Sequence, residues 1–153
     1  MGFGVDWVGM RTFGPKLRNM PSSLHARLQD DLSQLTLTDG ARVWIYTASR
    51  AMTSEECALV QNQLEAFTST WAAHGKPLKA QTAILASQIV VLALDESDHA
   101  ATGCSIDASV MALKGICDLA PTLQDLDLFD RAWVLYATDP EAPEWQRAKL
   151  HAF

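Results

Sequence analysis

The sequence predicts an α+β fold of the ferredoxin-like type, and three observations support that prediction. Four segments rich in β-branched and aromatic residues alternate with two segments of helical periodicity, in the order β-α-β-β-α-β, between Arg42 and Thr138. The first and third strands are apolar on both faces, which suits the central positions of a four-stranded antiparallel sheet. The 153 residues are 48% apolar and 20% charged, without an evident linker or repeat, which favours a single domain.

The N-terminal part of the chain, residues 1–40, is predicted to be an arm followed by a helix. Glycines and prolines are scattered through residues 1–21, which favours an irregular segment. Ser22 or Ser23 can cap a short helix that extends to about Leu35. Leucines repeat along one face of that helix and indicate a single buried stripe: Leu24, Leu28, Leu32 and Leu35.

The first half of the core combines a strand with a clearly marked helix. Arg42–Thr47 is β-branched and aromatic, as expected for a central strand. Thr53 and Glu56 form a capping-box pattern, which begins a helix predicted to extend to about Ala73. Gly75 then suits the left-handed residue that ends the helix. Apolar residues recur three and four positions apart in this helix and predict its buried stripe: Cys57, Val60, Leu64, Phe67 and Trp71.

The second half of the core is predicted to contain two adjoining strands, a helix and a last strand: Lys79–Ala86, Gln88–Asp95, Ser105 to about Leu119, and Arg131–Thr138. A turn near Ser87 joins the first two of these strands, and Pro121 ends the helix. The C-terminal tail, residues 139–153, is predicted to include a short helix around Trp145.

In this topology both core helices cover one face of the sheet, so the other face needs a cover of its own. The N-terminal helix and arm are one candidate for that cover. A second copy of the chain is the other, and it would form a homodimer through the open sheet face.

Charge and cysteine content narrow the classes of partner. The net charge is −6 and no block of basic residues occurs, so a nucleic-acid partner is not expected. The longest aliphatic run, Ile89–Leu94, is far too short to cross a bilayer, so no membrane partner is expected either. None of the three cysteines forms a CxxC pair, so no structural zinc site is predicted. Free thiols and the lack of a recognisable signal peptide favour the cytoplasm.

The candidate site lies at one edge of the predicted sheet. Because successive core elements alternate in direction, the loop after the first core helix, His74–Pro77, reaches the same edge as the stretch Asp95–Asp107. This second stretch follows the most apolar strand and is crowded with polar side chains. We expect it to bind a small molecule or a protein through Asp95, Glu96, Ser97, Gly103 and Ser105.

A cysteine nucleophile is one interpretation of this edge. Cys104 stands at a helix N-terminus, where the partial positive charge favours a thiolate. His74 or His99 could act as its base, and Asp95 or Asp107 could orient that base. The alternative is that Cys104 only packs at a turn, and Asp107 in the same helical turn opposes a thiolate.

An anion site and a metal site are the other interpretations. The backbone N–H groups of Gly103–Ile106 could hold a phosphate or a carboxylate, although helix capping by Ser105 explains the same residues and the nearby acidic side chains disfavour an anion. Carboxylate and imidazole ligands for a metal are present, but their spacing follows no known rule: His74, Asp95, Glu96, His99 and Asp107. A solvated acidic loop explains them, so neither a metal nor a cofactor is predicted.

Five short runs form a recognisable set: Val43–Tyr46, Trp71–Leu78, Leu94–Ser97, Gly103–Val110 and Leu128–Arg131. Together they resemble a family of small bacterial proteins of unknown function that is common in Bacteroidetes, over about residues 42–138. Members of that family are often labelled "ABC transporter ATPase". The chain has no GxxxxGK[ST] loop to hold phosphates, so ATPase activity is not expected. The resemblance implies no established activity.

Two hypotheses for function follow from the sequence. The first is a small binding or interaction module whose ligand or partner edge is formed by the WxxHG and DES…GCSID loops. The alternative is an enzyme that depends on cysteine or acid–base chemistry and uses Cys104, His74 and Asp107. The binding module is favoured because a fold by itself implies no chemistry, and each of these three residues has a plain structural explanation.

Overall fold

The computed structural model describes residues 23–139 and 141–152, and the predicted arm at residues 1–21 lies outside them. Three α-helices occur in the described residues: α1 (Leu24–Leu32), α2 (Ser54–Thr70) and α3 (Gly103–Lys114). The strands are β1 (Ala41–Thr47), β2 (Ala72–Ala73), β3 (Lys76–Pro77), β4 (Lys79–Leu85), β5 (Ile89–Asp95), β6 (Trp133–Tyr136) and β7 (Gln146–Lys149). A short 3₁₀ turn directly follows α3 (Gly115–Asp118), another precedes β6 (Pro121–Leu123), and another follows β7 (Leu150–Ala152).

The central sheet is antiparallel and has the strand order β1-β5-β4. Ala41 and Lys79 both lie opposite Asp95, whereas Thr47 and Leu85 both lie opposite Ile89. The ends of the three strands are therefore level with one another on both sides of the sheet. β5 lies in the centre, as its continuous apolar sequence predicts, and side chains from different parts of the core cover its two faces.

The core is divided by β5, whose side chains alternate between the two faces of the sheet. Val90, Leu92 and Leu94 are 0% exposed and pack in clusters with side chains from α2, α3 and the segment after α3. On the opposite face, Val91 packs with Leu28 of α1 and with Leu35 just after it. The mixed α+β class predicted from the sequence is therefore confirmed.

The α1 face of the sheet is covered unevenly. α1 lies against β4, and the predicted role of this helix as a cover holds for that part of the sheet. Val43 and Ile45 of β1 point to the same face but are 39% and 66% exposed. An apolar strip therefore remains open on β1 within the described part of the chain.

The four-stranded ferredoxin-like sheet is not confirmed. The fourth predicted strand shortens to β6, and it pairs antiparallel with β7 in a separate two-stranded sheet. Two contacts explain this. The segment before β6 is bound to the end of β1, where the backbone N–H of Ser49 donates to the carbonyl of Asp127 at 2.7 Å. The indole of Trp133 then packs under the guanidinium of Arg147 on β7, 4.3 Å from the ring centroid.

Several boundaries also differ from the predictions. α2 ends at Thr70 rather than near Ala73, and Gly75 lies in the β2–β3 turn instead of ending the helix. α3 begins at Gly103 with Thr102 as its N-cap, so Ser105 is inside the helix. The predicted helix around Trp145 is wrong, since this residue directly precedes β7. None of the described helices is long and apolar enough to cross a membrane.

Candidate functional site

The two predicted loops lie side by side at the edge of the sheet where β1 and β4 begin and β5 ends. We call this surface the loop edge and define it as residues 72–77 and 95–107. Trp71, which is 3% exposed, joins its two halves, because its indole N–H donates to the carbonyl of Ser105 at 2.8 Å. The carbonyl of Trp71 in turn accepts from the backbone N–H of Leu78 at 2.9 Å. The hairpin of β2 and β3 is thus fixed against the start of α3.

His74 occupies the turn of the β2–β3 hairpin. Its φ is 49° and that of Gly75 is 76°, as in a two-residue turn of type I′. The side chain of His74 is exposed and forms no hydrogen bond or ion pair with any other described residue. The position of His74 is therefore explained by hairpin geometry, and its imidazole is presented to solvent.

Cys104 and Asp107 lie on the first turn and a half of α3, and both are exposed. Within residues 23–139 and 141–152, no hydrogen bond joins either of them to His74. All three predicted catalytic residues are exposed, and the described residues do not join them into a hydrogen-bonded triad.

The carboxylates at the end of β5 accept hydrogen bonds from the backbone of their own loop. The carboxylate of Asp95 accepts from the backbone N–H of Ser97 at 2.9 Å, which holds the pKa of Asp95 below its usual value. Glu96 accepts from the backbone N–H of Ala101 at 2.9 Å and forms an ion pair with Arg42 at 3.2 Å. These carboxylates shape the loop on which they lie.

Gly103 and Ser105 lie in the first turn of α3, where Ser105 takes part in capping the helix. Gly103 is the first helical residue. The hydroxyl of Ser105 accepts from the backbone N–H of Thr102 at 2.8 Å, and the hydroxyl of Thr102 accepts from the N–H of Ser105 at 3.4 Å. Ser105 is 3% exposed and completes a capping box. Of the residues predicted to bind a ligand, it is the one least accessible to one.

No metal centre is formed by these side chains. Among the described residues, no three His, Cys, Asp or Glu side chains come together in an arrangement that could hold a metal ion.

Arg50 is a structural residue that the sequence did not reveal. Its guanidinium donates two hydrogen bonds of 2.9 Å to the carboxylate of Glu56 and one of 2.8 Å to that of Asp125. It also donates to the carbonyl of Thr122 at 2.5 Å. Hydrogen bonding from Arg50 holds the pKa of Glu56 and that of Asp125 below their usual values. The capping-box pattern signals Glu56, but no local pattern signals its partner.

A groove of about 300 Å³ lies away from the loop edge, between α1, α2 and the outer edge of β4. Its polar lining comes from all three elements and the segment after α1: Asp31, Gln34, Cys57, Gln61, Glu65 and Thr82. Burial raises the pKa of the Cys57 thiol, which therefore stays protonated at neutral pH. No local sequence pattern signals this groove, because its walls come from segments far apart in the chain.

Comparisons with family models, with curated proteins and with solved structures each found no match to this chain. The resemblance inferred from the five sequence runs therefore stays a prediction.

Proposed function

We propose that the protein is a binding module that works as a homodimer, with β1 forming the dimer contact and the loop edge facing a partner. One observation supports this most strongly. Ile45 is 66% exposed on β1, and no described strand pairs with the outer edge of β1. An exposed apolar strip on an unpaired edge strand is a surface that proteins normally cover.

The backbone of β1 suits pairing with a second copy of itself. The N–H of Ala48 donates to the carbonyl of Gln88 at 2.8 Å, so this residue points toward β5. Because directions alternate along a strand, the backbone groups of Val43 and Ile45 point outward. A two-fold axis beside Trp44 then places Val43 of one protomer opposite Ile45 of the other, and both residues exchange backbone hydrogen bonds.

The proposed dimer would also supply the fourth strand that the ferredoxin-like prediction requires and that the described sheet lacks. That topology requires an antiparallel strand beside the first strand, and β1 of the second protomer would occupy this place. The two sheets would join into one of six strands, and the antiparallel pairing would put the two loop edges at opposite ends. A dimer of this form is a bivalent binder.

The hydrogen bonds within the loop edge support binding rather than catalysis, because they occupy several of the polar side chains that a catalytic site would need. Asp95, Glu96 and Ser105 are bonded within the loops, which leaves the side chains of His74 and Cys104 outward on an exposed surface. A surface of this kind fits a protein partner better than a small substrate, which needs a concave site. The free thiols of the described cysteines are consistent with a cytoplasmic location.

The second candidate function is a cysteine-dependent enzyme, and the exposed position of Cys104 at the start of α3 favours it. Alkylation by iodoacetamide at neutral pH, resolved by peptide mass spectrometry, separates the two functions. For the binding module we expect Cys104 to react about as fast as glutathione, since no described base contacts it. A rate many times higher, abolished by His74→Ala, would establish the enzyme instead.

The oligomeric state of the full chain tests the proposed dimer. Light scattering after size-exclusion chromatography is expected to give the mass of a dimer for the wild type and of a monomer for Ile45→Glu. Leu59→Glu is the matched control, because Leu59 is also apolar and exposed, at 43%, but lies on α2. This control should remain a dimer. A wild-type monomer, or an unaltered dimer in folded Ile45→Glu, would overturn the proposal.

A further inference from the structure

The two-stranded sheet of β6 and β7 carries a surface that belongs to neither β1 nor the loop edge. Trp133 lies opposite Lys149 in this sheet, and Leu135 lies opposite Arg147. Because side chains alternate along each strand, these four residues share one face of the sheet, which we call the ribbon face. The side chains of Trp133, Arg147 and Lys149 are exposed on it.

The ribbon face is positively charged, although the whole chain carries a net charge of −6. The guanidinium carbon of Arg147 lies 4.3 Å from the centroid of the Trp133 ring, and the ammonium of Lys149 lies 5.7 Å from it. Within the described residues, neither cation forms an ion pair with a carboxylate. The carboxylate of Asp130, close by in sequence, accepts from the backbone N–H of Ala132 at 2.8 Å. The indole therefore holds two cations in place beside each other, and both are available to an acidic partner.

The backbone of β7 presents a free edge beside these cations. Among the described strands, β7 pairs with β6 alone. The backbone N–H of Leu150 donates to the carbonyl of Ala132 at 2.8 Å, so residue 150 points toward β6. Because directions alternate along a strand, the backbone groups of Arg147 and Lys149 point away from β6. No described residue outside this sheet is hydrogen-bonded to the backbone of either one.

We infer that the free edge of β7 binds an extended acidic peptide segment of another protein, with Asp or Glu at alternate positions. An added antiparallel strand would exchange backbone hydrogen bonds with Arg147 and Lys149. The peptide residues opposite these two would place their carboxylates on the ribbon face, where cross-strand neighbours of opposite charge attract. Alternate residues of a strand are about 6.8 Å apart, so two such carboxylates match the two cations. The guanidinium of Arg147 can bind its carboxylate through two parallel hydrogen bonds.

Other occupants fit the free edge of β7 less well. A second copy paired along β7 would place Arg147 of one protomer opposite Lys149 of the other, and like charges in opposite positions destabilise a strand pair. A nucleic acid gains affinity with the number of phosphates that the protein neutralises, and the ribbon face supplies only two cations. An acidic peptide gains from the backbone edge as well as from the two charges.

Fluorescence anisotropy with a labelled synthetic peptide and the full-length protein provides the test. The probe has the sequence TEVEVET, and the control peptide TQVQVQT replaces each glutamate with glutamine. We expect saturable binding of the glutamate peptide that weakens as sodium chloride is added, and at least tenfold weaker binding of the glutamine peptide. Methylation of the backbone nitrogens of the three glutamates should also weaken binding, since it removes the hydrogen bonds to β7. Equal binding of the glutamate and glutamine peptides, or binding of neither, would overturn the proposal.

A competition experiment separates the peptide from a nucleic acid. Unlabelled TEVEVET is expected to displace the probe at a lower concentration than single-stranded oligothymidylate does, when both are compared per negative charge. Displacement by the oligothymidylate at the lower concentration would assign the ribbon face to nucleic acid and contradict an acidic peptide.

Substitutions that each remove one charge connect the binding to the ribbon face. Arg147→Gln and Lys149→Gln should each weaken binding of the glutamate peptide by about fivefold. Lys114→Gln is the matched control, because Lys114 is also an exposed cation near an aromatic ring, 5.9 Å from the centroid of Phe129, but lies on α3. This control should bind as the wild type does, and circular dichroism verifies that all three variants are folded. Unchanged affinity in both ribbon-face variants, or an equal loss in Lys114→Gln, would show that the peptide does not bind at β7.

Discussion

At the scale of single residues, Arg50 stabilises the structure by hydrogen-bonding to three separate segments. Its side chain joins the loop after β1 to the start of α2 and to the segment before β6. Glu56 is buried beneath it, with 6% of its side chain exposed. A carboxylate at such a depth is stable only when it is hydrogen-bonded and its charge is balanced.

Arg50→Ala is expected to lower the free energy of unfolding by about 2 kcal/mol at pH 7, because it leaves the Glu56 carboxylate buried without its partner. The measurement is urea denaturation followed by circular dichroism. Asp125→Asn is the comparison, and its effect should be smaller since the Asp125 side chain is 73% exposed. An Arg50→Ala protein as stable as the wild type would show that Glu56 finds other partners.

The same variant should change the pH dependence of stability. The pKa of Glu56 is lowered in the folded state, so its stabilisation is present above the unfolded-state pKa of about 4.3. That stabilisation is lost as the pH falls through the lower folded-state pKa. The difference between the wild type and Arg50→Ala is therefore expected to shrink on acidification below pH ~4. A constant difference down to pH ~2 would indicate a contribution other than the ion pair.

At the scale of elements, the β2–β3 hairpin depends on two residues with positive φ. Gly75 adopts this conformation without cost, whereas His74 at 49° carries the strain of a side chain in the left-handed region. Asparagine is the preferred residue at that position of a type I′ turn. His74 is thus held in a conformation that its own side chain does not favour.

His74→Asn is expected to raise the free energy of unfolding by about 0.5 kcal/mol, since asparagine adopts the left-handed region more readily. Gly75→Ala should lower it by about 1 kcal/mol, because a side chain there is strained at a φ of 76°. Thermal unfolding of the two variants beside the wild type measures both effects. A loss of stability in His74→Asn would mean that His74 forms a stabilising contact in solution, and a stable Gly75→Ala would show that the turn relaxes to another conformation.

At the scale of the whole molecule, the two edges of the central sheet have different surroundings. β4 is flanked by α1 and α2, which form the groove, whereas β1 leaves Val43 and Ile45 exposed. If the proposed dimer forms, folding and association are coupled by mass action. The melting temperature of the wild type should then rise with protein concentration, and that of Ile45→Glu should not.

Much of the local structure could be predicted from the sequence. Ser23 and Thr53 begin α1 and α2 as their capping patterns indicate, because each cap is a contact between residues three positions apart. β5 is buried on both faces, as its fully apolar sequence indicates. The alternating directions of the strands and helices also predict that the segment after α2 reaches the edge where β5 ends, and Trp71 there donates to the carbonyl of Ser105.

Other features were decided only by the tertiary structure. Arg50 meets Asp125 across 75 positions of sequence, and the groove takes its walls from α1, α2 and β4. β6 pairs with β7 rather than with β1, although its sequence suits either position. The physical reason is the same in each case. Caps and periodicity are set by near neighbours in sequence, whereas strand partners, buried ion pairs and cavities depend on which distant segments pack together with compatible side chains.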